Sequence, residues 1–155
     1  MKKLIAAVCA LLAVTVLLCA CSQSKVKPLS QVYSSIKEKV ELSELDDFNF
    51  VSALERNYGI TSGEVIEFAG GVSASEDDPE EIVMIMAADS KSAEHIQAVL
   101  EERRQKKYDE KKDTDPEQAE MIDGCSVDRH GMYIAMFISE KADKMREIYN
   151  TLLEF

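Results

Sequence analysis

Cys125, Asp128 and His130 put a thiol, a carboxylate and an imidazole into one short segment. A thiol beside an imidazole base would make a nucleophile. The same three groups are also of metal-ligand type. Their spacing opposes both readings. On a strand that rises about 3.3 Å per residue, Cys125 and His130 stand roughly 16 Å apart. No second Cys or His lies close enough to complete a zinc set. Cys125 shares a strand face with Val127, which predicts a buried, inert cysteine. His95 sits beside Ile96 in a different element and reads as a surface residue. Asp113, Asp115 and Glu117 alternate as calcium ligands do, without the glycine and distal glutamate of an EF-hand loop. They read as a solvated charge run. Met84 and Met86 share one strand face, and Met132 and Met136 another. Thioethers suit Cu(I), but core filling is the more economical use of them. There is no Gly-rich phosphate loop, nucleophile elbow or HExxH. Hydrolysis by paired carboxylates needs a specific cleft, and 29 acidic residues do not single out a pair. The sequence therefore assigns no catalytic, cofactor-binding or metal-binding residue.

One cysteine does carry a chemical expectation. Lys2 and Lys3 precede an uncharged apolar run, Leu4 to Leu18, and small residues then lead into Cys21. This is the layout of a secretory signal. The run is short of the roughly 20 residues that a spanning helix needs. Its end, Leu18-Cys19-Ala20-Cys21, resembles a bacterial lipobox, with Cys19 where Ala, Ser or Thr is usual. The resemblance implies cleavage before Cys21 and lipid on its thiol, with several acyl chains giving stable membrane attachment. Residues 1–20 are thus read as a lipoprotein signal peptide and 21–28 as a tether. Residues 29–155 form a single domain on the extracytoplasmic side of the cell membrane. On this reading Cys125 is the one thiol left free, and the fold rests on a core rather than a disulfide framework.

Without Lys2 and Lys3, 16 basic residues face 29 acidic ones, a net charge of −13. Binding to phosphate backbones requires the opposite balance, so nucleic acid is not an expected partner.

The elements follow from periodicity. Leu29, Val32, Tyr33, Ile36 and Val40 mark one face of a helix. Phe50, Val51, Leu54 and Tyr58 mark a second, ended by Gly59. Strands are predicted over Glu64–Ser75, with a bulge at Gly70-Gly71, and over Glu81–Ala88. A helix runs from Ser90 toward Tyr108, and Asp109–Glu120 is irregular or briefly helical. Strands Cys125–Arg129 and Met132–Ile138 meet across His130-Gly131, and a last helix starts at Ser139. A shift of 49 positions lays Ser90, Ala93, Ile96, Val99 and Leu100 on Ser139, Ala142, Met145, Ile148 and Tyr149. The predicted fold is α+β. It has a four-stranded antiparallel sheet from two ββα units, the two unit helices on one face, and N-terminal helices packing on the domain. Ile82–Ala87 and Met132–Ile138 are apolar on both faces, so the second face needs a cover too. The N-terminal helices are the expected cover, with a second copy of the chain or an apolar ligand as alternatives.

Five segments give a wider resemblance: Tyr58-Gly59-Ile60, Glu81-Ile82-Val83, Arg103 to Tyr108, Gly131-Met132-Tyr133 and Ile138-Ser139. With them the chain resembles domain of unknown function 4358, a bacterial lipoprotein family, over roughly Leu29 to Phe155. That resemblance implies the domain and its envelope location and brings no functional residues. The expected role is a non-catalytic binding or accessory module of the cell envelope. Its partners would be the membrane, through Cys21, and an envelope protein or small ligand. A small envelope hydrolase using acidic residues is the alternative.

Overall fold

The two doubly apolar runs lie side by side. A computed structural model of the chain describes residues 26–155, so Cys21 and the signal-like segment lie outside the described residues. In chain order the elements are α1 (Leu29–Lys39), β1 (Leu45–Asp47), α2 (Val51–Tyr58), β2 (Val65–Ser73) and β3 (Glu81–Ala87). They continue with α3 (Ser90–Lys111), α4 (Pro116–Asp123), β4 (Val127–His130), β5 (Tyr133–Ile138) and α5 (Ala142–Leu153). The strands form one antiparallel sheet of five in the order β1-β2-β3-β5-β4.

The four predicted strands are present, and a fifth extends the sheet. β1 is three residues long and pairs with the far end of β2, Leu45 opposite Ser73. Leu45-Asp46-Asp47 is too short and too acidic to show a strand period, so only its tertiary pairing makes it a strand. The predicted bulge also moves. Gly70 and Gly71 pair in unbroken register with Val83 and Ile82, and the irregularity lies between Val65 and Glu67. The glycines serve close approach instead. A Cβ on Gly70 would lie 2.0 Å from the Ile82 carbonyl oxygen, and one on Gly71 would lie 2.9 Å from the Tyr33 hydroxyl.

The helices are distributed differently from the expectation. Residues paired across strands share a face. One face carries Glu81, Val83, Ile85, Ile134 and Met136, and the other Ile82, Met84, Ala135 and Phe137. α3 covers the first face, with α2 and α4 packed against it. α5 covers the second, its Tyr149 ring 5.7 Å from that of Phe137. α1 joins α5 there, with Tyr33 Oη donating to Asp47 at 2.6 Å and the Leu29 N–H donating to Glu67 at 2.6 Å. Each face thus takes one unit helix and one N-terminal helix. The demand for cover on both faces is met by sending the two unit helices opposite ways. A rotation carrying β3 onto its antiparallel neighbour β5 would put both helices on one face. The two ββα units are therefore not related by an internal two-fold.

The rest follows local chemistry. α2 ends at Gly59, which is left-handed at φ 73°. α3 runs one turn beyond Tyr108. α4 begins with Pro116 at its first turn, capped by Asp115, whose side chain accepts from the Gln118 N–H at 3.1 Å. Of the two readings of Asp109–Glu120, irregular or briefly helical, the second holds for its C-terminal part, which opens a short capped helix. Gly131, at φ 62°, turns the β4–β5 hairpin. Among the described residues, no helix is long and apolar enough to cross a membrane.

Among the described residues, the buried side-chain oxygens of Gln118, Tyr149 and Asn150 lack a hydrogen-bond partner, and that of Tyr149 lies in the core. Tyr149 is fully buried. An unpaired buried hydroxyl costs about 1–3 kcal/mol, whereas an apolar group of the same shape is tolerated. Tyr149→Phe is therefore expected to leave stability unchanged or raise it by up to about 1 kcal/mol. Urea denaturation measures this, and a loss of similar size would mean the hydroxyl is bonded.

Candidate functional site

β3 is apolar except at its start, where Asp78-Pro79-Glu80-Glu81 leads in from the β2–β3 connection. Pro79 restricts Asp78 to an extended conformation. The Asp78 carboxylate accepts from the Glu80 N–H and from Ser73 Oγ, both at 3.0 Å. Two successive glutamates then follow on an extended chain, so their side chains leave on opposite faces of the sheet. Both are buried.

Glu80 reaches the second face. It accepts from the Ser43 N–H at 2.7 Å and from the Ser43 hydroxyl, in the α1–β1 loop. Its other oxygen accepts from Ser139 Oγ at 2.5 Å, in the β5–α5 loop. One carboxylate thereby pins two distant loops to the end of β3. Glu81 reaches the first face, where its side chain is 0% exposed. Tyr58 Oη donates to it at 2.8 Å, Arg103 Nη2 at 3.0 Å and Lys107 Nζ at 2.7 Å. Arg103 Nε adds longer bonds to both oxygens. Lys107 also donates to the Pro79 carbonyl at 2.8 Å, and Lys111 to that of Asp77 at 2.9 Å. α3 therefore supplies cations one turn apart along the face that meets the β2–β3 connection.

The electrostatics follow from this crowding. Burial alone would push the Glu81 carboxyl up. The Lys107 ammonium and Arg103 guanidinium outweigh it and hold the carboxyl below the usual glutamate range. Burial, then the Glu81 charge, pushes the Tyr58 phenol far up. Asp78 is held low as well, its burial outweighed by nearby donors and the Lys107 charge. Hollows flank the connection. One, of about 220 Å³, is lined by Ser43, Asp78, Glu80, Gln118, Ser139 and Lys141 among others. The other, of about 230 Å³, lies between Ser73 and Glu76 on one side and Arg103, Lys107, Glu110 and Lys111 on the other.

The side chains singled out by type stay apart. Cys125 is buried in the α4–β4 connection, its Sγ 3.2 Å from the Met121 carbonyl oxygen. His130 stands at the other end of β4, stacked on Phe155 at 4.3 Å. Asp128 pairs with Arg146 at 2.5 Å, and His95 Nδ1 lies 2.5 Å from Glu64 on the surface. Asp115 serves as a helix cap. Met84 and Met136 are buried on opposite faces of the sheet. Among the described residues, no group of three or more His, Cys, Asp or Glu is arranged to hold a metal. Burial pushes the Cys125 thiol up, which lowers its thiolate fraction. Native protein should accordingly react with a thiol reagent more slowly than the unfolded chain. Cys125→Ala should cost about 1 kcal/mol. A native rate above the unfolded rate would show an activated thiol.

Sequence reasoning missed Glu80 and Glu81 as a site. The available signal was two carboxylates opening a strand that is otherwise apolar on both faces, since buried carboxylates require partners.

Four of the five segments that carry the family resemblance meet here. Tyr58, Glu81 and Arg103 touch directly on the first face, and Ser139 holds the adjoining Glu80 on the second. No curated protein and no solved structure matches the chain. The family model described as domain of unknown function (DUF4358) matches residues 32–139, from α1 to the serine that binds Glu80, and the chain belongs to that family.

Proposed function

We propose that this protein is a lipid-tethered, extracytoplasmic module of the cell envelope that acts by non-covalent contact at the end of the sheet marked by Glu80 and Glu81. One observation carries the reading: the buried carboxylates of Glu80 and Glu81 and the buried thiol of Cys125 are already committed to structural partners. Glu81 is saturated by Tyr58, Arg103 and Lys107 and held in its ionised form, which disfavours it as a proton donor. Cys125 is buried with its thiol pushed up. The hollows on either side of the β2–β3 connection offer polar surface with serine hydroxyls and charges of both signs.

Anchoring and contact are tested together. Cys21→Ala should lose lipid labelling and leave the detergent phase, and unchanged labelling would remove the lipoprotein reading. In the lipidated protein, a photocrosslinking residue at Glu76 should capture a defined envelope component, and one at the exposed Asn49 should not. Saturable hydrolysis of peptidoglycan fragments, abolished by Glu80→Gln in a folded protein, would establish the hydrolase instead.

A further inference from the structure

The chain enters the described domain at one pole, and the buried glutamates stand at the other. Lys27 donates its N–H to the Leu152 carbonyl at 3.3 Å, beside the end of α5. The same pole holds the start of β2, the end of β3 and the β4–β5 turn, since Val65 pairs with Ala87 and the Ala87 N–H donates to the Met132 carbonyl. β3 then climbs roughly 20 Å to Glu81 at the far pole. Two of the three exposed large apolar side chains among the described residues belong to the entry pole: Ile66, 60% exposed, and Phe155, 45% exposed. Phe155 is held in place between the His130 and Tyr133 rings, at 4.3 and 5.5 Å.

We infer that this entry pole, with Phe155 and Ile66, rests on the lipid surface and presents the Glu80–Glu81 pole away from it. The inference rests on the anchored reading above. From Cys21 the chain reaches Val26 in five steps, a span of at most about 18 Å. A domain of this size is roughly 35 Å across. The tether is therefore too short to carry the domain over and lay its far pole on the membrane. Apolar rings beside a lipid anchor supply a second, weak membrane contact.

The chain has no tryptophan, so one introduced ring reports alone. The full-length chain is processed in a lipoprotein-competent bacterium and reconstituted into phosphatidylglycerol vesicles with brominated acyl chains. Flotation reads anchoring, and quenching reads orientation. Phe155→Trp should lose roughly half its emission or more, as a ring seated about 5–10 Å into the boundary would. Ile66→Trp is the second near-pole probe, independent of the Phe155 stack. Met121→Trp at the far pole should keep its emission. Floating protein with equal quenching at both poles, or none at either near-pole probe, overturns the orientation and leaves the anchored module standing. A chain that does not float overturns both.

Discussion

Arg103→Ala is expected to destabilise the protein by about 3 kcal/mol, the lower end of the range for breaking a buried ion pair from one side. The reason is asymmetry of exposure. Glu81 is 0% exposed, whereas Arg103 is 28% exposed and can reach water without its partner. Removing the arginine leaves a buried carboxylate with Lys107 and Tyr58 alone. Removing Lys107 as well, as Arg103→Ala with Lys107→Met, should cost more than the sum of the single losses, because the second removal strands the charge. Glu81→Leu should cost less than Arg103→Ala, since both cations then turn outward. Urea midpoints rank the four proteins, and a Glu81→Leu loss exceeding that of Arg103→Ala would show that the network acts by packing rather than charge. The same pair sets an acid limb. The Glu81 carboxyl lies below its ordinary value of 4.5 in the folded protein. Its stabilisation is thus fully present above that value and is lost as pH falls through the lowered one. Glu81→Gln should flatten this part of the stability–pH profile.

Gly70→Ala should be more damaging still, at more than about 4 kcal/mol. The new methyl would sit 2.0 Å from the Ile82 carbonyl oxygen and 2.9 Å from its carbon, both main-chain atoms of the neighbouring central strand. φ at Gly70 is +151°, a conformation that side chains rarely adopt. Neither a rotamer change nor a side-chain shift relieves this contact, and moving β3 would pull Glu81 from Arg103. Gly59→Ala is the control, with a positive φ of 73° but nothing within 4 Å of the added carbon. It should cost about 1–2 kcal/mol. Similar losses at the two positions would mean that φ, and not the close approach, governs both.

What could be read in advance was what the chain encodes locally. The face of α1, the glycine ending α2 and the hairpin at Gly131 are each specified by residues close in sequence. The need for cover on both sheet faces was equally legible from Ile82–Ala87. Which helix goes to which face was not. An antiparallel hairpin leaves its following helix free to turn either way, and the handedness rule governs parallel crossovers only. β1 escaped because three residues carry no period. The site escaped for a related reason. Glu80 and Glu81 open an apolar strand, which hints at their burial, but their partners Ser43, Tyr58, Arg103, Lys107 and Ser139 come from four other parts of the chain.

The joint cover of one sheet face by α1 and α5 has a kinetic side. Lys141 binds the Glu41 carbonyl across 100 residues, and Tyr149, the large ring over Phe137, belongs to the last helix. A nascent chain that has completed only β2, β3 and α3 can cover one side of that hairpin. Ile82 and Met84 on the other side stay wet until both the earliest and the latest helices are in hand. Folding should therefore be late and non-local, with a slow loop-closure step. A chain held unfolded until all of it has been delivered would avoid the half-covered hairpin and the association it invites.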